Sequence, residues 1–163
     1  MIRKASMQDL PAILDIYAYA RKFMADTGNP AQWGNGYPQK DVLERDIDLE
    51  QLYIIEENGA PVGVFAFIIG ADPTYAVIDD GSWLSDAPYG TIHRIAGNGK
   101  THGLLQQTVA FCGQQIAHLR IDTHADNHIM QHLIAKCGFS RRGIIYVRGG
   151  SPRIAYELVP GGC

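Results

Sequence analysis

Apolar residues recur along the chain with two periods, one helical and one extended. Helical spacing begins behind Ser6 and predicts a first helix that runs to about Met24. Ser6 is a typical N-cap residue, and Asp9 stands where a capping-box partner is expected. The predicted buried face of this helix consists of Leu10, Ile13, Leu14 and Tyr17.

Three further helices follow from the same spacing. The second begins near Pro38, the third has its apolar face between Leu104 and Ile116, and the fourth covers 127–137 and ends at Gly138. Short apolar runs bounded by turn residues predict strands at 1–5, 52–56, 62–69, 91–96, 119–123, 143–147 and 153–159. A further strand is predicted at 75–78.

Without that last strand, the predicted order of elements is β-α-α-β-β-β-α-β-α-β-β. Asn58-Gly59 is a strong signal for a two-residue hairpin, so the strands around it should be antiparallel. In the second half, helices alternate with single strands, which implies parallel pairing through right-handed crossovers. The expected fold is a single α/β domain over 1–163, with a mixed sheet and helices on both faces.

Composition narrows the class of protein. The chain has 163 residues and a net charge of −3, without a Lys/Arg-rich run, which argues against a nucleic-acid binder. Its longest apolar stretch, 62–69, is too short to span a membrane, and no signal peptide follows Met1. Three cysteines without tight spacing argue against a disulfide framework, so a cytoplasmic protein is expected.

A glycine-rich loop, 97–103, joins the strand at 91–96 to the third helix. Backbone N–H groups at such a helix start lack partners and carry the positive end of the helix dipole, so they can bind a pyrophosphate. Lys100 could add a positive charge. The same pattern is also typical of a purely structural turn.

Two segments resemble motifs of the GNAT family of N-acetyltransferases. The order of helices and strands is similar to that family over nearly the whole chain. Asn98-Gly99-Lys100-Thr101-His102-Gly103 is similar to that family's acetyl-CoA loop, Gln/Arg-x-x-Gly-x-Gly/Ala, with Asn98 and Thr101 as departures. The segment 127–139 is similar to its Asn, Ala, Tyr-x-Lys-x-Gly-Phe pattern. Asn127, Lys136, Gly138 and Phe139 match there, whereas Met130 replaces the Ala and Ile134 replaces the Tyr that usually protonates the departing thiolate.

Further matches to a subgroup of the family are Gln32-Trp33, Gly36-Tyr37-Pro38, Tyr75, Ile92-His93-Arg94, Arg120-Ile121-Asp122-Thr123-His124 and Gly143-Ile144-Ile145-Tyr146. The resemblance implies a GNAT-like fold, a transferase with acetyl-CoA as co-substrate and no metal, and a small-molecule or peptide amine as acceptor. No nucleic-acid or membrane partner is expected, and GNAT-like folds often form homodimers.

The resemblance also implies a site. The strands at 91–96 and 119–123 should splay apart around the pantetheine. The expected cofactor-binding residues are Ile95, Ala96, Asn98, Gly99, Lys100, Thr101, His102, Gly103, Leu104, Asn127 and Met130. The acceptor pocket should contain Trp33, Tyr37, Tyr75 and Trp83, whose rings can hold a cation or simply pack in the core.

An amine must lose a proton before it attacks a thioester, so a base is needed. The candidates are His93, Asp122 and His124, at or near the ends of the two strands. His93 is the first choice because an imidazole exchanges protons readily near neutral pH. The alternatives are a hydrogen-bonded core histidine at 93 and a strand-end cap at Asp122.

Three other interpretations compete. His124, His128 and His132 stand four residues apart, a spacing that zinc ligands use. A cysteine nucleophile is disfavoured, since Cys112 and Cys137 fall on buried helix positions and Cys163 is terminal. The main rival is a non-catalytic GNAT-like sensor of acyl-CoA or another small ligand, which the absence of a tyrosine at Ile134 favours.

Overall fold

A computed structural model describes residues 1–34 and 36–161; Asn35 and Cys163 lie outside the described residues. The strands are β1 Ile2–Lys4, β2 Leu52–Glu57, β3 Ala60–Ile69, β4 Gly90–Gly97, β5 Leu119–Thr123, β6 Ser140–Tyr146 and β7 Pro152–Leu158. The α-helices are α1 Leu10–Asp26, α2 Lys40–Asp48, α3 Leu104–Gln115 and α4 His128–Lys136. This order confirms the predicted mixed α/β fold.

The strands form one seven-stranded sheet in the order β1-β2-β3-β4-β5-β7-β6. All neighbours are antiparallel except β4 and β5. The parallel pairing of β4 with β5 is limited to two residue pairs, Gly90 with Leu119 and Thr91 with Arg120. Beyond these residues β4 and β5 separate, which opens a gap in the middle of the sheet.

Alternation along the strands explains why helices cover both faces. Successive side chains of a strand point to opposite faces. In β2, Leu52 and Ile54 pack with α1 and α2, whereas Tyr53 and Ile55 pack in the cluster that includes α3 and α4. The four side chains are nearly or fully buried, as the continuous apolar run predicts for strands covered on both faces.

The start of α1 follows the predicted capping arrangement, with one extra turn. Ser6 precedes a 3₁₀ turn, Met7–Asp9, that leads into the helix. The Ser6 backbone N–H donates to Asp9 Oδ2 over 2.8 Å. Asp9 also accepts two hydrogen bonds from the Arg3 guanidinium, which ties the helix start to β1.

The strand predicted at 75–78 is wrong. The chain forms a 3₁₀ turn at Pro73–Tyr75 instead, followed by an isolated bridge between Asp79 and Ile144. Asp72 Oδ1 accepts hydrogen bonds from both the backbone N–H and the hydroxyl of Thr74, a cap that competes with strand pairing. Apolar character at Tyr75 reflects burial of its ring, not a strand.

Among the described residues, no helix is both long and apolar enough to cross a membrane.

Candidate active site

A β-bulge in β4 shapes the gap between β4 and β5. The register with β3 shifts between Val64 and Ala66, and Arg94 has a φ of 52°, a left-handed conformation that is uncommon outside glycine. The Arg94 carbonyl accepts a hydrogen bond of 2.7 Å from the buried Tyr17 hydroxyl. The bulge therefore sets the positions of Ile95 and Ala96 at the gap.

The Arg94 side chain holds the bulge from the other direction. Its Nε and Nη2 donate to Asp46 Oδ2 over 3.0 and 2.7 Å, and its Nη1 donates to the Tyr37 hydroxyl over 3.3 Å. Asp46 is 3% exposed, so this is a buried ion pair between α2 and β4. Strained backbone that its surroundings hold in place is typical of functional sites.

Two cavities open on the gap. The first, which we call the loop cavity, has a volume of about 570 Å³ and lies between α1, the 97–103 loop and α4. The second, the polar cavity, has about 580 Å³ and lies between Gln32, Trp33, Tyr37 and Gln39 on one side and β4, β5 and the β6–β7 hairpin on the other. The residues common to both linings are Met24, Ile95, Asn127 and Met130. The two cavities thus meet where β4 and β5 separate.

The loop cavity contains a helix start without a side-chain cap. Gly103 precedes α3 with a φ of 76°, and no side chain hydrogen-bonds to the first turn among the described residues. Free N–H groups at the start of a 12-residue helix favour an anion. Gly99 has a φ of 79°, which favours glycine, and a Cβ there would lie 2.2 Å from the Tyr19 hydroxyl, so a larger residue would have to displace the Tyr19 ring.

Most of the predicted cofactor-binding residues line the loop cavity: Ile95, Ala96, Gly99, Thr101, His102, Gly103, Leu104, Asn127 and Met130. Asn98 and Lys100 do not. The Asn98 side chain accepts from the Lys100 N–H and donates to the Pro61 carbonyl, so it shapes the loop. Asn127 caps α4 through a bond from the Met130 N–H to its Oδ1.

The polar cavity places His93 beside Asp72. His93 Nε2 lies 2.9 Å from Asp72 Oδ2, and both side chains are largely buried. Burial opposes ionisation of Asp72, but hydrogen bonds from His93 and Thr74 outweigh it and lower the pKa of this carboxyl to about 2. An ionised Asp72 accepts the Nε2 proton and leaves Nδ1 as the ring nitrogen that can accept another.

Asp122, at the end of β5, lines the same cavity. Its Oδ2 accepts a hydrogen bond of 2.7 Å from the Tyr75 hydroxyl. Burial raises the pKa of Asp122, while the charges of His93 and Arg153 and the bond from Tyr75 oppose that rise. The Asp122 carboxyl is therefore largely shielded from bulk solvent but borders the polar cavity.

The four predicted aromatic residues divide into two pairs. Trp33 and Tyr37 line the polar cavity, with ring centroids 6.3 Å apart. Tyr75 and Trp83 lie behind it: Tyr75 is 2% exposed, and Trp83 Nε1 donates to the Tyr75 carbonyl. The guanidinium of Arg120 stacks on Trp83, 3.9 Å from the ring centroid. Tyr75 and Trp83 thus support Asp122 from behind.

His124 lies outside both cavity linings, where its Nδ1 accepts from the Asp126 N–H and shapes the turn after β5. It does not join His128 and His132 in a metal site, since no group of three potential ligands occurs among the described residues. Ile134 is fully buried in the core between α4 and the sheet. Tyr146, another conceivable proton donor, is exposed and lines neither cavity.

The thiols of the described residues are not activated. Cys112 is fully buried, and burial raises the pKa of its thiol to about 12. Cys137 borders the loop cavity, and burial raises the pKa of its thiol as well. Neither environment resembles that of a nucleophilic cysteine.

Sequence reasoning missed several site residues. In the loop cavity they form the α1 wall: Tyr19, Ala20, Phe23, Met24 and Thr27. In the polar cavity they are chiefly Gln32, Asp72, Arg94, Arg148 and Arg153. The spacing of Tyr19 and Phe23, off the buried face of α1, was a signal for the first group. No local pattern pairs Asp72 with His93.

No protein-family model matches the chain, and neither does any curated protein. Solved structures do. The chain is similar to a GNAT-family acetyltransferase from Streptococcus agalactiae, with 30% identity over 98% of this chain and 94% of that one, and a TM-score of 0.85. A Salmonella typhimurium protein with its cofactor acetyl-CoA shares the fold (17% identity, 100% and 98% coverage, TM-score 0.60). So does the NatC complex bound to Gag peptide and CoA (15% identity, 97% and 96% coverage, TM-score 0.63).

Proposed function

The chain belongs to the GNAT family of acetyltransferases, and from that premise we propose that it transfers the acetyl group of acetyl-CoA to a primary amine by direct attack in a ternary complex. The observation that carries this proposal is the meeting of the two cavities at Ile95, Asn127 and Met130. A thioester in one cavity and an amine in the other would touch there, as a direct transfer requires.

In this proposal acetyl-CoA occupies the loop cavity. Its pyrophosphate would accept hydrogen bonds from the free N–H groups at the start of α3, beside Gly103. The pantetheine would extend along β4 past Ala96 and Ile95, where β5 no longer pairs with β4. The acetyl-CoA and CoA bound by two structural neighbours support this choice of co-substrate.

His93 would act as the general base. A lysine-like ammonium must lose a proton at a cost of roughly 4–5 kcal/mol at pH 7 before its nitrogen can attack. Nδ1 of His93 would accept that proton, directly or through one water, while Asp72 holds Nε2 and stabilises the imidazolium. Asp122 would lie close to the same amine and favour its approach.

The acyl transfer itself needs no second protein base, because the departing thiolate can accept the proton that the nitrogen must still lose. The amine nitrogen forms a bond to the thioester carbon, the carbonyl oxygen becomes an oxyanion, and the C–S bond then breaks to release CoA as a thiolate. A thiol of pKa about 8.5 leaves as a thiolate at a cost of roughly 2 kcal/mol at pH 7, so the reaction tolerates Ile134 in place of a tyrosine. The nitrogen still carries two protons after the attack, and one of them passes to the thiolate, directly or through water, which leaves the amide and CoA thiol. The proton taken earlier by His93 is released to solvent.

Ile134 favours a second candidate, a sensor that binds acetyl-CoA without transferring its acetyl group. Its side chain is fully buried in the core and cannot exchange a proton with a ligand. A sensor would still use the loop cavity. It would not need the pairing of His93 with Asp72 in the second cavity, which is why we prefer the transferase.

Two measurements on the wild-type protein separate these functions. Acetyl-CoA should raise the melting temperature in both cases, because a ligand that binds the native state stabilises it. Release of CoA thiol upon addition of amines, assayed over polyamines, amino acids, aminoglycosides and peptides, is expected only of the transferase. A thermal shift without thiol release for any amine supports the sensor, and the absence of a shift contradicts both.

A further inference from the structure

The polar cavity contains a buried arginine, Arg153, that forms no ion pair among the described residues, although the charge of Asp122 reaches it from a distance. Arg153 is 8% exposed, and its guanidinium donates to three neutral oxygens: the Ser151 hydroxyl and the Pro152 and Gln32 carbonyls. A guanidinium has five N–H donors, so two remain. Among the described residues no carboxylate lies within ion-pair distance of Arg153, although buried charges are normally paired.

Three other ionisable groups of this cavity, those of Asp72, His93 and Arg94, are already paired. The ionisable lining residues are Tyr37, Asp72, His93, Arg94, Asp122, Arg148 and Arg153. Asp72 is bonded to His93, and Arg94 is paired with the buried Asp46. What remains is Asp122 at one end and the two arginines of the β6–β7 hairpin at the other. The cavity therefore separates an acidic end from a basic end.

Sheet register fixes the distance between the backbone positions that carry Asp122 and Arg153. Asp122 pairs with Ala155 across β5 and β7, so the two side chains share one face, and Arg153 lies on that face two residues away. The Cα atoms of such diagonal neighbours are about 7–8 Å apart. The spacing suits a molecule whose amine and anionic group are separated by only a few bonds.

Resting on the proposed function, we propose that the acceptor is an amino acid whose free carboxylate binds Arg153 while its amine faces His93 and Asp122. The guanidinium would form two parallel hydrogen bonds with the carboxylate, the geometry that arginine provides and lysine does not. Arg148, exposed at the mouth of the cavity, would attract the anion before it docks.

The test measures binding, so it does not depend on turnover. Calorimetry with CoA present would compare N-acetyl derivatives of the common amino acids with their carboxamides, which differ only in the anionic charge. For at least one side chain, the wild type should bind the acid about tenfold more tightly than the amide. Arg153→Gln should remove that selectivity, and Arg153→Lys should retain part of it.

Arg142→Gln is the matched control, since Arg142 donates to the Ser82 carbonyl outside both cavities and should leave selectivity unchanged. Melting temperatures would show that each variant folds. Equal binding of acids and amides by the wild type, or full selectivity in Arg153→Gln, would overturn the inference. Acid-selective binding together with no thiol release for any amino acid would support the anion site and contradict the transferase.

Discussion

The two cavities that meet at the β4–β5 gap are built in different ways. The loop cavity takes nine of its lining residues from one continuous segment, Ile95 to Leu105, and most of the others from α1 and α4. The polar cavity gathers charged side chains from distant parts of the chain. Arg153 donates to a carbonyl 121 residues away, and Arg94 pairs with a carboxylate 48 residues away.

This difference indicates which cavity determines the specificity for each ligand. A cavity built from backbone N–H groups and shape can bind the same phosphorylated ligand in spite of side-chain changes such as Thr101. A cavity built from paired charges changes its preferred ligand whenever one partner changes. We therefore expect the co-substrate to be set by the loop cavity and the acceptor by the polar cavity, and the following variants test that division.

The largest effect should come from His93→Gln. Loss of the proposed base should lower kcat about 10²–10³-fold, because general-base catalysis contributes on this scale. The Kd of acetyl-CoA should not change, since His93 lies outside the loop cavity. His124→Gln is the control: it removes another candidate base that lines neither cavity and should keep kcat. If His93→Gln kept the kcat of the wild type, His93 would not be the general base.

The ion pair behind the bulge gives the next largest effect, on stability. Arg94→Ala leaves Asp46 buried without its cation and should lower the free energy of unfolding by about 3–5 kcal/mol, measured by urea denaturation. Arg94→Gly should recover about 1 kcal/mol, because glycine adopts the left-handed conformation at φ 52° without strain. The exposed pair of Lys22 with Asp26 is the control, and Lys22→Ala should cost under about 1 kcal/mol.

Equal stability of the alanine and glycine variants would show that the bulge stores no strain. In that case the position of Ile95 and Ala96 would depend on sheet pairing alone.

The sequence predicts the loop cavity far better than the polar one, and the reason is locality. Apolar periodicity depends on neighbours in the chain, so it reveals the order of helices and strands, and consecutive loop residues from Gly99 to Gly103 remain together in space. The pairing of Asp72 with His93 depends on how a 3₁₀ turn folds back onto β4. Neither segment contains a sequence pattern that indicates how close Asp72 and His93 lie.

The wrong strand at 75–78 has the same origin. Tyr75 looks like a strand residue because it is apolar, yet its burial results from packing on Trp83 and Tyr89 and from its bond to Asp122. The capping of Thr74 by Asp72 then prevents an extended conformation. A tertiary arrangement overrides local propensity there.

Asp72→Asn should show an intermediate effect that depends on pH. The pKa of Asp72 is about 2 in the folded state and about 3.9 in the unfolded chain, so its ionised form stabilises the fold at pH 7 by on the order of 2 kcal/mol. Because the folded pKa is the lower one, this contribution is complete above about pH 4 and is lost as the pH falls towards 2. Urea denaturation of both proteins at pH 7 and pH 3 measures it.

Asp9→Asn separates stability from function. Asp9 also has a pKa of about 2, held there by the partly exposed Arg3, but it lines neither cavity. The stabilisation that ionised Asp9 provides should be lost in the same pH window as that of Asp72. It should be smaller, because solvent screens Arg3. Only Asp72→Asn should also lower kcat, through misorientation of His93. Equal kcat losses in the two variants would show that the polar cavity has no special dependence on Asp72.

The smallest effect should come from Gly99→Ala, compared with Gly59→Ala. The two glycines have φ values of 79° and 78°, so alanine should cost each about 1 kcal/mol of stability. They differ in surroundings: a Cβ at residue 59 meets nothing within 4 Å, whereas one at residue 99 would displace the Tyr19 ring at the edge of the loop cavity. Only Gly99→Ala should therefore weaken the binding of acetyl-CoA, with a Kd that rises about tenfold. Calorimetric titration with acetyl-CoA measures this, and equal affinities in the two variants would show that the fit between Gly99 and Tyr19 does not shape the loop cavity.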